Sequence, residues 1–383
     1  MQAGRGLILI VFALLTLGVV MVNSAGLTVN AEQSLDLSQV LLGRPTILAL
    51  IALIMMLVAS QLNIEWLYKS KGLASPIPWM ILGSLLLLAA VHVPGIGREV
   101  NGARRWITLG PIGFQPSEIA KWTMIIVIAW YAARRAESLG KFFRGFLPPM
   151  IFVGIVCVVI AMEDLGTAAL IGMVAVVMLI AAGSKLWHVA VLAPPAIAGL
   201  VATIMANPYR LDRLRAFVDP YQDPQGIGYH MIQSMAAVAG GGLAGRGLGN
   251  GVQKFGYLPE DTTDFIFAVI CEELGLIGGL VVVSLYAGLL LCGLSIIRQT
   301  LNPFARLVGL GVMATIGLQA LINMAVVTGT APTKGIALPL ISSGGTGWVL
   351  TAFCIGLLIS IDRTNHKTSP QPLENLQTVP NPT

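Results

Sequence analysis

The sequence predicts an all-α, polytopic membrane protein with ten transmembrane helices and both termini in the cytoplasm. Three observations carry this. Of 383 residues, 56% are hydrophobic and only 11% charged, and the mean hydropathy is +0.82, which excludes a water-soluble globule. The apolar residues gather into ten runs, each suited to a hydrocarbon core of about 30 Å that takes roughly 20 helical residues to cross. Strand-like alternation does not recur often enough for a membrane barrel.

The first run, 6–24, follows Arg5 as a signal peptide would, but nine further runs make it an uncleaved anchor. The others are 42–61, 76–93, 116–132, 147–162, 165–183, 187–206, 265–291, 306–328 and 346–361. A large extracytoplasmic loop, 207–264, separates the seventh from the eighth. Residues 1–363 form a single transmembrane domain, and 364–383 are too polar and proline-rich to bury anything, which predicts a disordered cytoplasmic tail. Cys157, Cys271, Cys292 and Cys354 all lie inside apolar runs, so they read as packing residues rather than disulfides or metal ligands. His92, His188, His230 and His366 are scattered without zinc spacing.

Placing the amino terminus inside puts twelve of the 23 basic residues in cytoplasmic segments, as the positive-inside bias requires. Nine cations fall on the disfavoured side: Arg98, Arg104, Arg105, Arg210, Arg213, Arg215, Arg246, Lys254 and Lys334. Long loops translocate whatever their charge, but Arg104 and Arg105 lie in a short one. Arginine suits bidentate recognition of phosphate oxygens, so the set points to a bound anion. A lipid carrying a diphosphate would supply both the anion and the membrane location. Nothing points to nucleic acid.

Polar residues inside the apolar runs come next. Glu118 and Lys121 are three apart on the fourth span, on one helix face where each neutralises the other. An intramembrane charge costs about 2.5–3.5 kcal/mol, which makes both functional candidates, although Pro116-Ser117-Glu118 also reads as a helix start. Asp264 stands just before the eighth span, where an aspartate is an N-cap whose pKa hydrogen bonding would lower. Glu272 lies about 12 Å deeper on the same helix and about 80° round from Asp264, so it is expected to share a cavity with Asp264, whereas Glu273 points away. At least one of the two glutamates should pair with a base. The glycine run at 240–251 lacks the Gly-Lys-Ser/Thr ending of a phosphate loop, so close packing is the stronger reading over amides that hold an anion. The stretch 339–347, containing Ser342, breaks the chain between the ninth and tenth spans, where irregular backbone must line a protected cavity.

Six segments together resemble one family, the SEDS proteins of shape, elongation, division and sporulation, exemplified by RodA, FtsW and SpoVE. They are NGARRWI at 101–107, FQPSEIAK at 114–121, DLGTA at 164–168, RLRAFVDPYQDPQGIGYHMIQS at 213–234, GGLAGRGLGNGVQKFGYLPEDTTDFIFAVICEELG at 241–275 and PTKGIALPLISSGGT at 332–346. The PTKG sequence is more like the division branch, FtsW. The resemblance implies ten transmembrane helices in the bacterial cytoplasmic membrane and a peptidoglycan glycosyltransferase that polymerises lipid II on the outer face. It also implies a class B penicillin-binding protein as transpeptidase partner, among other divisome or elongasome membrane proteins. Asp264 matches the family's essential aspartate. Arg104, Arg105, Trp106, Glu118, Lys121, Arg213, Lys254 and Ser342 fall on positions expected to bind substrate in the same outer cavity. Two departures stand out: Thr262 replaces a usual histidine, so that position supplies no imidazole, and Ser343 replaces a usual tyrosine.

With this resemblance, Asp264 becomes the expected general base for the acceptor hydroxyl, or a ligand of Mg²⁺ or Mn²⁺ bound with the diphosphate. Transport of the same lipid by a flippase, and a non-catalytic scaffold for the penicillin-binding protein, are the alternatives. No internal repeat supports the first.

Overall fold

The structure is a computed structural model describing residues 2–26, 41–70, 72–100, 103–109, 112–254, 257–343 and 345–368. It is mostly helical, with the helices where the apolar runs lie: α1 (Gln2–Ala25), α2 (Arg44–Ala59), α3 (Pro76–Ala90), α4 (Pro116–Arg134), α5 (Leu147–Ala161), α6 (Leu165–Ala181) and α7 (Leu186–Met205). Then come α8 (Pro208–Val218) and α9 (Tyr229–Gly240), followed by α10 (Ile266–Gln299), α11 (Pro303–Val327) and α12 (Thr346–Thr368). Among the described residues six helical segments are long and apolar enough to cross a membrane: α1, Phe142–Ala161, α7, α10, α11 and most of α12. Three more, α2, α3 and α6, are apolar but shorter. The chain is a multi-pass membrane protein.

Local chemistry sets the helix starts. Proline opens α2, α3, α4, α5, α8 and α11 within the first two positions, where its missing N–H costs nothing. Asn207 and Asn302 cap α8 and α11, and the Asp164 side chain caps α6 by accepting from the Thr167 amide at 3.0 Å. Two boundaries run past expectation. Helix α10 continues to Gln299, and α12 to Thr368, inside the segment expected to be a disordered tail; residues 369–383 lie outside the described residues.

The expectation of an all-α chain needs one correction. Residues 97–114 contain a three-stranded antiparallel sheet, β1 (Gly97–Val100), β2 (Ala103–Leu109) and β3 (Ile112–Phe114), in the order β1-β2-β3. These strands are too short for alternation to show against the helical background. The described residues of the 207–264 loop are likewise structured, carrying α8 and α9.

At the centre sits α4, the charged helix. It packs on α3, α6, α11 and α12, and nearly all of residues 116–129 are buried. Its charges are therefore enclosed by protein, not lipid. By contrast α7 buries only His188 and leaves its apolar length exposed, as a lipid-facing helix would.

Helix α10 is broken at Gly275 (φ 67°, ψ −165°). In a continuous helix the Glu272 and Glu273 carbonyls would accept from Leu276 and Ile277. Instead those two amides donate to the Gly242 and Leu243 carbonyls, and the glutamate carbonyls accept from Arg246 and Gly247. The glycine segment thus splices into the broken helix. A Cβ at Gly245 or Gly275 would strike the facing backbone, so close approach is what these glycines provide.

Candidate active site

Asp264 is positioned by two loops and one side-chain amide. The Ser343 amide donates to the Thr262 carbonyl at 2.8 Å, docking residues 339–343 on the PEDTTD loop. Asn323 on α11 donates to the Asp264 carbonyl at 2.8 Å and the Ile336 carbonyl at 2.7 Å, stapling both strands of chain together. Gly335 faces the carboxylate so closely that a Cβ there would lie 2.8 Å from its Oδ2. The first residue of α10 is Ile266, with Phe265 at the N-cap and no side-chain cap bond, so Asp264 does not act as the expected cap. The expected fall in its pKa is reversed too. Enclosure away from water pushes the carboxyl up to about 7, aided by the charges of Glu260 and Asp164 and opposed by Arg213 and Arg105.

A cavity of about 410 Å³ brings Asp264 together with Arg105, Trp106, Glu118, Lys121, Arg213 and Ser342. Lys121 donates to both Glu118 oxygens at 2.8 Å and to Gln319 Oε1 at 3.0 Å, and Gln319 in turn donates to the Ala337 carbonyl at 2.8 Å. The pair is thus neutral and ties α4 to the 332–343 loop. Ser342 Oγ accepts from the Leu338 amide at 2.6 Å and shapes the wall. Arg213 stacks over Tyr209, its carbon 4.5 Å from the ring centroid, and donates to the Tyr209 hydroxyl. Neither Arg105 nor Arg213 makes an ion pair with any described residue, and Arg105 Nε is buried without a hydrogen-bond partner. Positive charge left uncompensated beside a carboxylate is what an anionic substrate would complete.

Three expected placements are corrected. Arg104 lies opposite Glu99 in the β1–β2 ladder and pairs with it at 3.4 Å, exposed and outside the cavity. Lys254 is fully buried elsewhere, paired with Glu273 at 2.7 Å and bonded to the Ser24 hydroxyl and carbonyl of α1. Glu272 does not reach the cavity either; it pairs with Arg246 at 3.3 Å and accepts from the Val252 and Gln253 amides at 2.9 and 3.2 Å. Both glutamates thus find bases, and their carboxylates occupy the glycine segment's amides, Gly249 and Gly251 donating to Glu273. No amides are left there for a ligand anion among those groups.

Sequence reasoning missed Gln319 and Asn323, although two amides one turn apart on an apolar helix are a readable signal. It also missed His230. With Thr262 at the usual histidine position, an imidazole still lines the cavity, delivered from α9 and stacked on Phe265 with ring centroids 6.0 Å apart. Burial, then Arg213, lowers its pKa, so it is neutral near pH 7.

The cell cycle protein model covering FtsW, RodA and SpoVE matches residues 5–367. The chain belongs to this family. Among FtsW/RodA/SpoVE relatives, it is 39% identical over 366 residues to the probable peptidoglycan glycosyltransferase FtsW of Geobacter sulfurreducens, covering 95% of this chain and 96% of that one. It is 36% identical to the stage V sporulation protein E of Bacillus subtilis, covering 93% and 96%. A subunit of a peptidoglycan synthase complex, described as coordinating polymerization and crosslinking, superposes with a TM-score of 0.75 at 27% identity, covering 95% and 98%. The RodA of Thermus thermophilus superposes at 0.65 and 25% identity, covering 94% and 97%.

Proposed function

We propose that this FtsW/RodA/SpoVE chain is a peptidoglycan glycosyltransferase that polymerises lipid II at the outer face of the bacterial cytoplasmic membrane. Several relatives are named probable peptidoglycan glycosyltransferase. The observation that carries the reading is one cavity holding both a carboxyl poised near neutrality and guanidinium groups with no acid partner. Ten spans, α1–α7 and α10–α12, with both termini cytoplasmic, put this cavity on the outer side.

In the proposed reaction the Asp264 carboxylate takes the proton of the acceptor GlcNAc 4-hydroxyl. The freed oxygen attacks the MurNAc anomeric carbon of the donor from the face opposite the diphosphate. A β-1,4 bond forms with inversion, the C1–O bond to the diphosphate breaks, and Arg105 and Arg213 meet the departing charge. A base titrating near the working pH has the best balance of availability and strength, which favours this role over simple capping. The Lys121–Glu118 pair and Ser342 hold the walls, and Trp106 offers an aromatic face to a sugar. No group of three or more metal-ligating side chains exists among the described residues. Asp264 therefore suits Mg²⁺ or Mn²⁺ only as an ion shared with substrate phosphates, where it would neutralise the leaving group. A class B penicillin-binding protein is the proposed partner, supported by the likeness to a subunit of the synthase complex.

The test is purified protein in detergent with lipid II and Mg²⁺, scored for glycan chains. A polymerase makes them; a flippase, which needs two membrane faces, and a scaffold do not. The rate has a predictable pH profile. Asp264 is protonated and inert below its pKa, so the rate should climb through about pH 7 as the carboxylate forms. Glu260 raises that pKa by repulsion, so Glu260→Gln should move the acidic limb to lower pH. An unmoved limb would show that Asp264 is not the titrating group.

A further inference from the structure

A second cavity, of about 390 Å³, lies against the first, and Arg105, Asp164, Tyr209, Arg213 and Gly335 line both. Lys334 and Arg210 line the second alone. The half-buried Lys334 ammonium has no hydrogen bond or ion pair to any described residue. Arg210 is held by carbonyls only, of Ala161 at 2.6 Å, Met162 at 3.0 Å and Thr203 at 3.4 Å, which fix its place but leave its charge uncompensated. The two acids of this cavity are already engaged: Glu163 accepts from the Arg104 amide at 2.8 Å, and Asp164 from Thr167 and Gln115. Burial, then Arg210, lowers the Lys334 pKa, against the pull of Asp164. Arg105, Arg210, Arg213 and Lys334 thus line the two adjoining cavities with no ion pair to a described residue, and against them this second cavity sets only the Glu163 and Asp164 carboxylates. One edge of the second is apolar, from Met162, Ile204 and Leu214, which suits an anion on a lipid better than a free one.

Transfer between two lipid-linked sugars places two diphosphates at different points. The donor's is attached to the carbon under attack and must lie at the reacting centre beside Asp264. The acceptor's is separated from its attacking hydroxyl by a whole disaccharide, so one anion site cannot serve both. We propose that the second cavity binds the diphosphate of the lipid-linked acceptor through Lys334 and Arg210, with Arg105 and Arg213 forming the wall between the two substrates. This rests on the glycan polymerase reading above and assigns its acceptor subsite.

The test uses the purified full chain in detergent, with radiolabelled farnesyl diphosphate as probe. Two equivalents should bind wild type, one should bind Lys334→Gln, and Lys334→Arg should restore the second. Excess phosphatidylglycerol should displace neither. Because Lys334 has no partner to orphan, its loss should leave the melting temperature intact. In polymerisation, Lys334→Gln should raise KM for lipid II about tenfold, the loss of one charge-assisted contact, with kcat nearly unchanged. A single equivalent on wild type, two on Lys334→Gln, or displacement by phosphatidylglycerol overturns the acceptor site. Polymer made by a chain that binds one equivalent sinks this proposal and spares the polymerase. Two equivalents with no polymer sinks the polymerase and leaves a two-anion site whose acceptor role has failed.

Discussion

Asp264→Asn should cut glycan polymerisation by at least about a hundredfold, the lower end of what a positioned general base contributes. Asparagine matches aspartate in size but takes no proton. Folding should survive, because the carboxylate makes no hydrogen bond to a described residue, while Asn323 holds the backbone carbonyl, which the substitution keeps. Stability should be equal or higher at pH 8. The folded pKa of about 7 lies above the ordinary 3.8, so the native state holds its proton more tightly than the unfolded chain. Stability is then lost as pH rises between those values, and above pH 7 the whole penalty of the enclosed charge is present, which asparagine removes. Gel-resolved glycan product and a melting curve check both halves. Polymer near the wild-type level would remove Asp264 from the chemistry, and a collapsed melting curve would make it structural.

Lys254→Met should destabilise the fold rather than weaken substrate binding alone. Its ammonium and the Glu273 carboxylate are both fully buried and 2.7 Å apart, and Ser24 donates to the same carboxylate at 2.7 and 3.0 Å. Removing one member of a buried pair strands the other charge, at about 3–5 kcal/mol. Replacing both, Lys254→Met with Glu273→Gln, should recover much of that, because no charge is stranded. Unfolding in a denaturing detergent titration reads the difference. If Lys254→Met kept wild-type stability and lost only lipid II affinity, the buried pairing would be wrong and a diphosphate role would return.

These two charges show what was legible. Asp264 stood out at the start of the eighth span and Lys254 as a cation of the 207–264 loop, and both invited a role at the same cavity. Asp264 has it, because the PEDTTD loop, the 332–343 loop and α11 converge there. Lys254 does not, because the glycine segment splices in at the Gly275 break and lies against the Glu272 and Glu273 carboxylates, which brings Lys254 to Glu273. Helical phase predicted that Glu272 would share a face with Asp264. That arithmetic assumes a helix that already includes the aspartate, and this fails, since α10 begins at Ile266 with Phe265 at the N-cap. Arg104 and Arg105 show the same limit: adjacent and alike in sequence, they separate because the ladder sets Glu99 opposite Arg104.

The sequence by itself determined the membrane class, the position of the apolar helices and the Glu118–Lys121 pair. These depend on composition, local spacing and burial length, quantities a chain carries before it folds. Which cations keep an unsatisfied charge was decided only by the tertiary structure, because a charge is satisfied by whatever distant segment folds against it. Glu273 pairs with Lys254 and Glu99 with Arg104 across the β1–β2 ladder, whereas among the described residues no acid forms an ion pair with Arg105, Arg213 or Lys334.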